Sequence, residues 1–266
     1  IEAFRFLTPL SFDIFILGVL RALGSHERDR LKEDGTNIAS WLQNLAQFSA
    51  AIFRKYPQIL DPAPLLRYIF SQLLDDNCLD VLILQEILTQ IAGLERPENL
   101  SELILEVSAT GGPILLQEIK AANLKTLNLQ VPSKRAQNRL KSALETENLP
   151  FNLLIALAQA SDAAIYRMDY SHLKLVSTLT DTCNSAFLQY LEYLKEEKFV
   201  FDVSIETVVK VFKLELPISL LIAKTFKSMT GNFSDLFKFY HQKQNLFVPE
   251  TFLKTFWSLN LADISV

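Results

Sequence analysis

TNIASWLQNLAQFSAAIFRKYP, residues 36–57, decides how the chain folds. Ile38, Trp41, Leu42, Leu45, Phe48, Ile52, Phe53 and Tyr56 recur at three- and four-residue steps, which stacks them on one face of an α-helix. Trp41, Leu45, Phe48 and Phe53 are expected in the core, where truncating a large aromatic side chain to Ala costs on the order of 3–5 kcal/mol. The helix should begin near Thr36 and stop at Pro57, whose ring nitrogen has no N–H to donate.

Upstream, Thr8 and Pro9 read as an N-cap and first helical residue, with Gly24 just past the end. That segment is apolar nearly all round, so it is expected at the centre of the fold. Downstream, Asp61-Pro62 repeats the start signal and Asn77 is a plausible stop; a further helix over 80–92 is closed by Gly93. Such short connections predict antiparallel neighbours. Helices are also predicted near 98–108, 114–125, 134–147 and 150–160, then over 171–197, where Leu173, Val176, Leu179, Cys183, Phe187, Tyr190, Leu191 and Leu194 form a stripe. Others follow near 204–213, 217–229, 234–242 and 249–259.

The fold class is therefore all-α, with about a dozen helices in an irregular HEAT-like solenoid of antiparallel hairpins that lacks a fixed sequence period. One domain is expected over residues 1–266, with a candidate soft hinge at 126–132 and the sharpest break at Gly111-Gly112-Pro113.

The bulk properties agree. A chain of 266 residues with 49% hydrophobic content can fill a substantial core. Its net charge of −4 offers no global attraction to nucleic acid, whose binding rests on Lys and Arg neutralising phosphates. Cys78 and Cys183 have no companions at zinc or disulfide-framework spacing, which fits a reducing, intracellular compartment. The most apolar run, 12–23, contains Asp13 and Arg21 and is shorter than the roughly 20 residues needed to span a bilayer, so no membrane segment is expected. Ile1 is not an initiator Met, and the chain reads as a piece of a longer protein.

Neither GxGxxG nor GxxxxGK[ST] occurs, so no nucleotide cradle and no cofactor are expected. Asp169, Ser171 and His172 are adjacent in sequence, but Ser at a helix start is ordinary capping chemistry. His26 and His241 read as solvated side chains, and Cys183 as a small core residue. No catalytic or metal-binding residue is assigned, and the chain is not expected to be an enzyme.

Two features are candidate binding surfaces. Lys134, Arg135, Arg139 and Lys141 make a basic stripe on one short helix, suited to phosphate or an acidic partner; the plainer reading is a solvated helix face. Phe237, Phe239, Tyr240, Phe247, Phe252, Phe256 and Trp257 crowd the last helical segments, either as core or as the aromatic anchors that protein interfaces favour.

Several strings carry a family resemblance. FLTPLSFDIFILGVLRAL (6–23) followed by ERDRLKEDGTNIASWLQNLAQFSAAIFRKYP (27–57) resembles the large scaffold subunits of the THO complex, the THO complex subunit 2 family. LLRYIFSQLLDDNCLDVLILQEILTQIAGLE (65–95) is similar to that family's next helical pair. SKRAQNRLKSALETENLPFNLLIALAQ (133–159) and HLKLVSTLTDTC (172–183) resemble later blocks. VPETFLKTFWSLNLADISV (248–266) resembles the block opening the family's C-terminal conserved region, with Ala262 where an aromatic residue is expected.

The resemblance implies a nuclear, non-catalytic scaffold in the transcription-export machinery, coupling mRNA synthesis and packaging to export. It also implies a middle region folded like the helical-hairpin domain of the translation-initiation scaffold, docking a DEAD-box mRNA-export helicase and stimulating its ATPase. Other THO subunits are the further implied partners. Direct RNA or RNA–DNA contact through the basic stripe, and a purely architectural spacer between subunits, are the alternatives.

Overall fold

The computed structural model describes residues 6, 8–96, 133–164, 173–199 and 201, with the isolated positions Ile218 and Ile222. Apart from those two positions, the helices expected near 98–108, 114–125 and beyond 204 lie outside the described residues. So do the Gly111–Pro113 break, the hinge at 126–132, and Phe237, Phe239, Tyr240, Phe252 and Trp257. Among the described residues the chain is all-α: seven α-helices, no strand, and one isolated antiparallel bridge between Leu31 and Ile38.

Helix α1 spans Pro9–Leu23, and its cap is the one the sequence predicts: the Thr8 hydroxyl accepts the Ser11 N–H at 3.2 Å, and Pro9 occupies the first turn. Its expected central position is not observed. Only Phe12, Ile16 and Leu20, one row at four-residue spacing, are buried. Leu10 and Ile14 on the far side are 68% and 64% exposed, and Phe15 and Leu23 also face solvent. Composition cannot place a helix at the centre unless neighbours cover every face, and α1 packs chiefly on α3 (Ala63–Leu74).

Helix α2 spans Ser40–Lys55, four residues later than the expected start at Thr36. The delay has a local cause. Asp34 Oδ1 accepts the N–H groups of Thr36 and Asn37, and Gly35 adopts φ +63°, a left-handed value open to glycine. The turn folds the chain back so that Lys32 N–H bonds Asn37 O at 2.8 Å and Ala39 N–H bonds Arg30 O at 2.8 Å. Ile38 is therefore in the bridge, not on the helix. Of the four predicted core residues, Leu45 and Phe53 are buried, whereas Trp41 and Phe48 pack at the rim. The Trp41 indole N–H donates to Asp29 O at 3.0 Å, and Phe48 meets Phe15 edge-on at 6.4 Å.

The centre belongs to α4, Val81–Ile87, which packs against α2, α3 and α7 (Leu173–Glu196). All its residues except Glu86 are buried. It continues as one π-helical turn, Leu88–Ala92, closed by Gly93 at φ +76°. A π turn leaves the α-helical hydrogen-bond ladder incomplete. Here Gln189 supplies donors: its Nε2 reaches Thr89 Oγ1 and Leu94 O, both at 2.9 Å.

Helices α5, Lys134–Thr146, and α6, Leu149–Ala163, pack on each other and are joined by a short turn through Asn148, which takes a left-handed φ of 52°. Helix α6 packs most extensively on α7. Along α7 the predicted stripe is buried from Leu179 through Leu194, whereas in the first turn Leu173 is exposed, Val176 is half-buried and Leu175, outside the predicted stripe, is buried. Contacts of α3 with α5 and α6, and of α4 with α7, join the two groups of helices into one core.

Candidate functional site

The densest polar arrangement among the described residues is built around Arg30. This side chain is only 2% exposed, and it lies against Asp80, which is fully buried at the start of α4. Arg30 Nε donates to Asp80 Oδ1 at 2.7 Å and Nη2 to Oδ2 at 2.8 Å, the two-pronged geometry that best offsets the cost of desolvating both charges. Nη1 donates to Gly24 O at 2.8 Å and His26 O at 3.2 Å, and the second Nη2 proton is shared between Tyr68 Oη at 3.2 Å and Gln72 Oε1 at 3.3 Å. Tyr68 in turn donates to Asp80 Oδ2 at 3.0 Å. The cluster thus ties the end of α1, through the Gly24 carbonyl, to α3 and to Asp80, the residue that precedes α4.

The electrostatics follow the geometry. Burial alone would lower the Arg30 pKa, but hydrogen bonding and charge from Asp80 outweigh it and hold the guanidinium above its ordinary value. Burial, then the Asp80 charge, raises the Tyr68 phenol. Gly24 is required by space and not by its backbone angle. A Cβ there would lie 2.9 Å from Leu20 O and 3.2 Å from Arg30 Cζ.

Arg30 forms one wall of a cleft of about 770 Å³ between α1 and α3. Leu17, Arg21 and Gly24 contribute one side, and Pro64, Arg67, Tyr68, Ser71 and Gln72 the other. Among the described residues, three arginines and no carboxylate line it.

The basic stripe of α5 does not present one continuous surface. Lys134 and Arg135 are exposed and have no partner among the described residues. Arg139 Nη2 bonds Asp61 Oδ2 at 2.9 Å, joining α5 to the start of α3. Lys141 Nζ donates to Glu197 O at 2.7 Å, lies 3.3 Å from Glu197 Oε2 and sits 5.1 Å from the centre of the Phe199 ring. The structure therefore separates an outward pair from an engaged pair that holds α5 to its neighbours.

A second buried polar seam joins α4 to α7: Gln85 Nε2 donates to Ser185 Oγ at 2.9 Å, next to the Gln189 contacts. Cys183 is buried, as the sequence predicts. Asp169, Ser171, His172 and His241 lie outside the described residues. Among those described, no group of three His, Cys, Asp or Glu side chains could hold a metal, and no helix is long and apolar enough to cross a membrane.

Sequence reasoning missed Arg30 altogether and read Asp80 only as a helix start. The two stand 50 positions apart, and neither carries a local signature. Gly24 was the available hint, although as a helix terminator it needs no guanidinium beneath it.

Comparison with known proteins agrees with the resemblance. The family model described as a transcription- and export-related complex subunit matches residues 1–46. The chain is 35% identical to human THO complex subunit 2 over 195 residues, 73% of this chain and 12% of that protein. Against the Arabidopsis thaliana protein of the same name the identity is 30% over 197 residues, 73% of this chain and 11% of that one. It is 22% identical to the Saccharomyces cerevisiae protein over 191 residues. The chain spans about an eighth of the length of these relatives. On these grounds the chain belongs to the THO complex subunit 2 family.

Proposed function

We propose that this chain is a non-catalytic segment of a nuclear THO scaffold, working in mRNA export by holding protein partners. Family membership over 73% of the chain is the observation that carries this reading. The buried polar chemistry supports it, since Arg30–Asp80, Gln85–Ser185 and Gln189 all hold helices to one another. The hairpins would continue as an irregular solenoid whose edges present binding surfaces, among them any interface formed by Phe237, Phe239, Tyr240, Phe252 and Trp257.

The leading partner is the DEAD-box mRNA-export helicase, with other THO subunits as neighbours. A scaffold accelerates an ATPase only by binding one conformational state of it better than another. The chain should therefore bind the helicase in a pull-down and raise its ATP turnover at saturating RNA. Failure of both sinks the reading; assembly with THO subunits without helicase binding marks an architectural spacer.

Direct nucleic-acid contact is a second reading, favoured by the outward Lys134 and Arg135. Arg139 and Lys141 are engaged elsewhere, which leaves two exposed charges for phosphate. Reversing Lys134 and Arg135 to Glu should abolish RNA retention at low salt. Unchanged retention would remove this reading.

A further inference from the structure

We propose that the cleft between α1 and α3 receives a short acidic segment of a protein partner, its carboxylates gripped by Arg21 and Arg67. This goes beyond the assignment of any particular partner and does not depend on the helicase.

Charge complementarity selects the occupant. Of the three lining arginines, Arg30 is neutralised within the fold by Asp80. Arg21 is exposed and has no partner among the described residues. Arg67 is 60% exposed, and its 3.1 Å contact with Glu147 is a solvated ion pair that contributes little to stability. Among the described residues no carboxylate lines the cleft itself, and Glu147, which meets Arg67 from outside it, is the acidic group a ligand carboxylate would displace. The protein as a whole carries a net charge of −4, so this cationic lining is a local feature against the overall balance.

The walls favour peptide over nucleic acid. Leu17 and Pro64 offer aliphatic surface for side chains between the carboxylates. Among the described residues Tyr68 is the one aromatic side chain lining the cleft, so successive bases would find no series of rings to stack on. Two solvent-facing cations would also give a phosphate backbone a salt dependence of only about two counterions. The other polar groups are already oriented: Gln72 Oε1 accepts from Asn77 Nδ2 at 3.0 Å, Ser71 Oγ donates to Tyr68 O at 2.8 Å, and Ser25 Oγ donates to Asp29 Oδ2 at 2.9 Å. The pocket is held open by internal bonds and does not have to be assembled by its ligand.

The test uses the whole chain and a short fluorescein-labelled peptide alternating Glu and Leu, read by anisotropy. A Gln–Leu peptide and an oligouridylate carrying the same label serve as controls. The Glu–Leu peptide should bind and weaken as salt rises, and the Arg21→Glu, Arg67→Glu double variant should lose about tenfold or more in affinity. Arg21→Lys with Arg67→Lys should retain part of it, because charge survives while the planar fork is lost. Both arginines are exposed, so the variants should keep the wild-type circular dichroism and melting temperature. Binding of the Gln–Leu peptide as tightly as the Glu–Leu peptide would overturn the proposal. So would no Glu–Leu binding at low salt, an unaffected double variant, or oligouridylate displacing the peptide at lower concentration than the peptide itself.

Discussion

Helices α1 and α4 look alike in sequence and have opposite fates. PLSFDIFILGVLRAL and VLILQEI are both dominated by Leu, Ile, Val and Phe. Yet α4 is buried on nearly every side by α2, α3 and α7, while α1 buries a single row and turns Leu10 and Ile14 to solvent. Hydrophobic content measures how much surface a helix could bury. How much it does bury depends on how many neighbours reach it, and those neighbours come from distant parts of the chain.

The largest expected effect breaks the polar tie between the two helices. Asp80→Ala leaves Arg30 buried without its counter-charge and should cost about 3–5 kcal/mol in urea unfolding. A double variant, Arg30→Met with Asp80→Leu, should recover much of that loss, because no unpaired charge remains. If the double variant is less stable than the single one, the pair contributes more than mutual neutralisation.

Next in size, Leu84→Ala in α4 should cost about 2–5 kcal/mol, from lost burial and the cavity left behind, in the same unfolding measurement. Ile14→Ala in α1 should stay within about 0.5 kcal/mol, since little but solvent faces it. A comparable loss at both positions would mean that α1's outer face is covered in solution.

Alkaline pH should act on the same tie. Tyr68 has its pKa raised above the ordinary 10.0, first by burial and then by Asp80, and buried Tyr190 and Tyr193 are raised as well. Folding therefore favours their neutral forms. That stability is complete below pH 10 and is lost as pH rises above it, because the unfolded chain ionises first. Urea midpoints should fall on going above pH 10, and Tyr68→Phe should make that fall shallower. An unchanged slope in Tyr68→Phe would place the sensitivity in Tyr190 and Tyr193 alone.

A small effect of the opposite sign is also expected in α1. A Cβ at Gly18, mid-helix in α1, would meet nothing within 4 Å. Gly18→Ala should therefore stabilise the protein by about 0.5–1 kcal/mol through helix propensity, read as a higher melting temperature. The same change would clash if another element packed closely on this face.

Much of the local structure was legible because it is set by nearest neighbours. Thr8 and Pro9 start α1, Gly93 closes the turn after α4, and the face of α7 from Leu179 to Leu194 is buried in the predicted register. The misreading at 36–39 was also local: the Asp34–Gly35 turn competes with the helix, and its side-chain bonds were overlooked beside the stronger apolar period. The candidate site was less legible. Lys134, Arg135, Arg139 and Lys141 are equivalent in sequence, but Asp61 and Glu197, 78 and 56 positions away, engage the latter two.

By itself, then, the sequence determined the family and, among the described residues, the helical class, several helix ends and most apolar faces, since each depends on residues within a few turns of one another or on the string itself. Only the tertiary structure decided that α4 and not α1 is central, that Arg30 is neutralised by Asp80, and that a cleft with two outward arginines opens beside them. Burial and ion pairing depend on which surfaces meet, and the residues that meet here are separated by tens of positions along the chain.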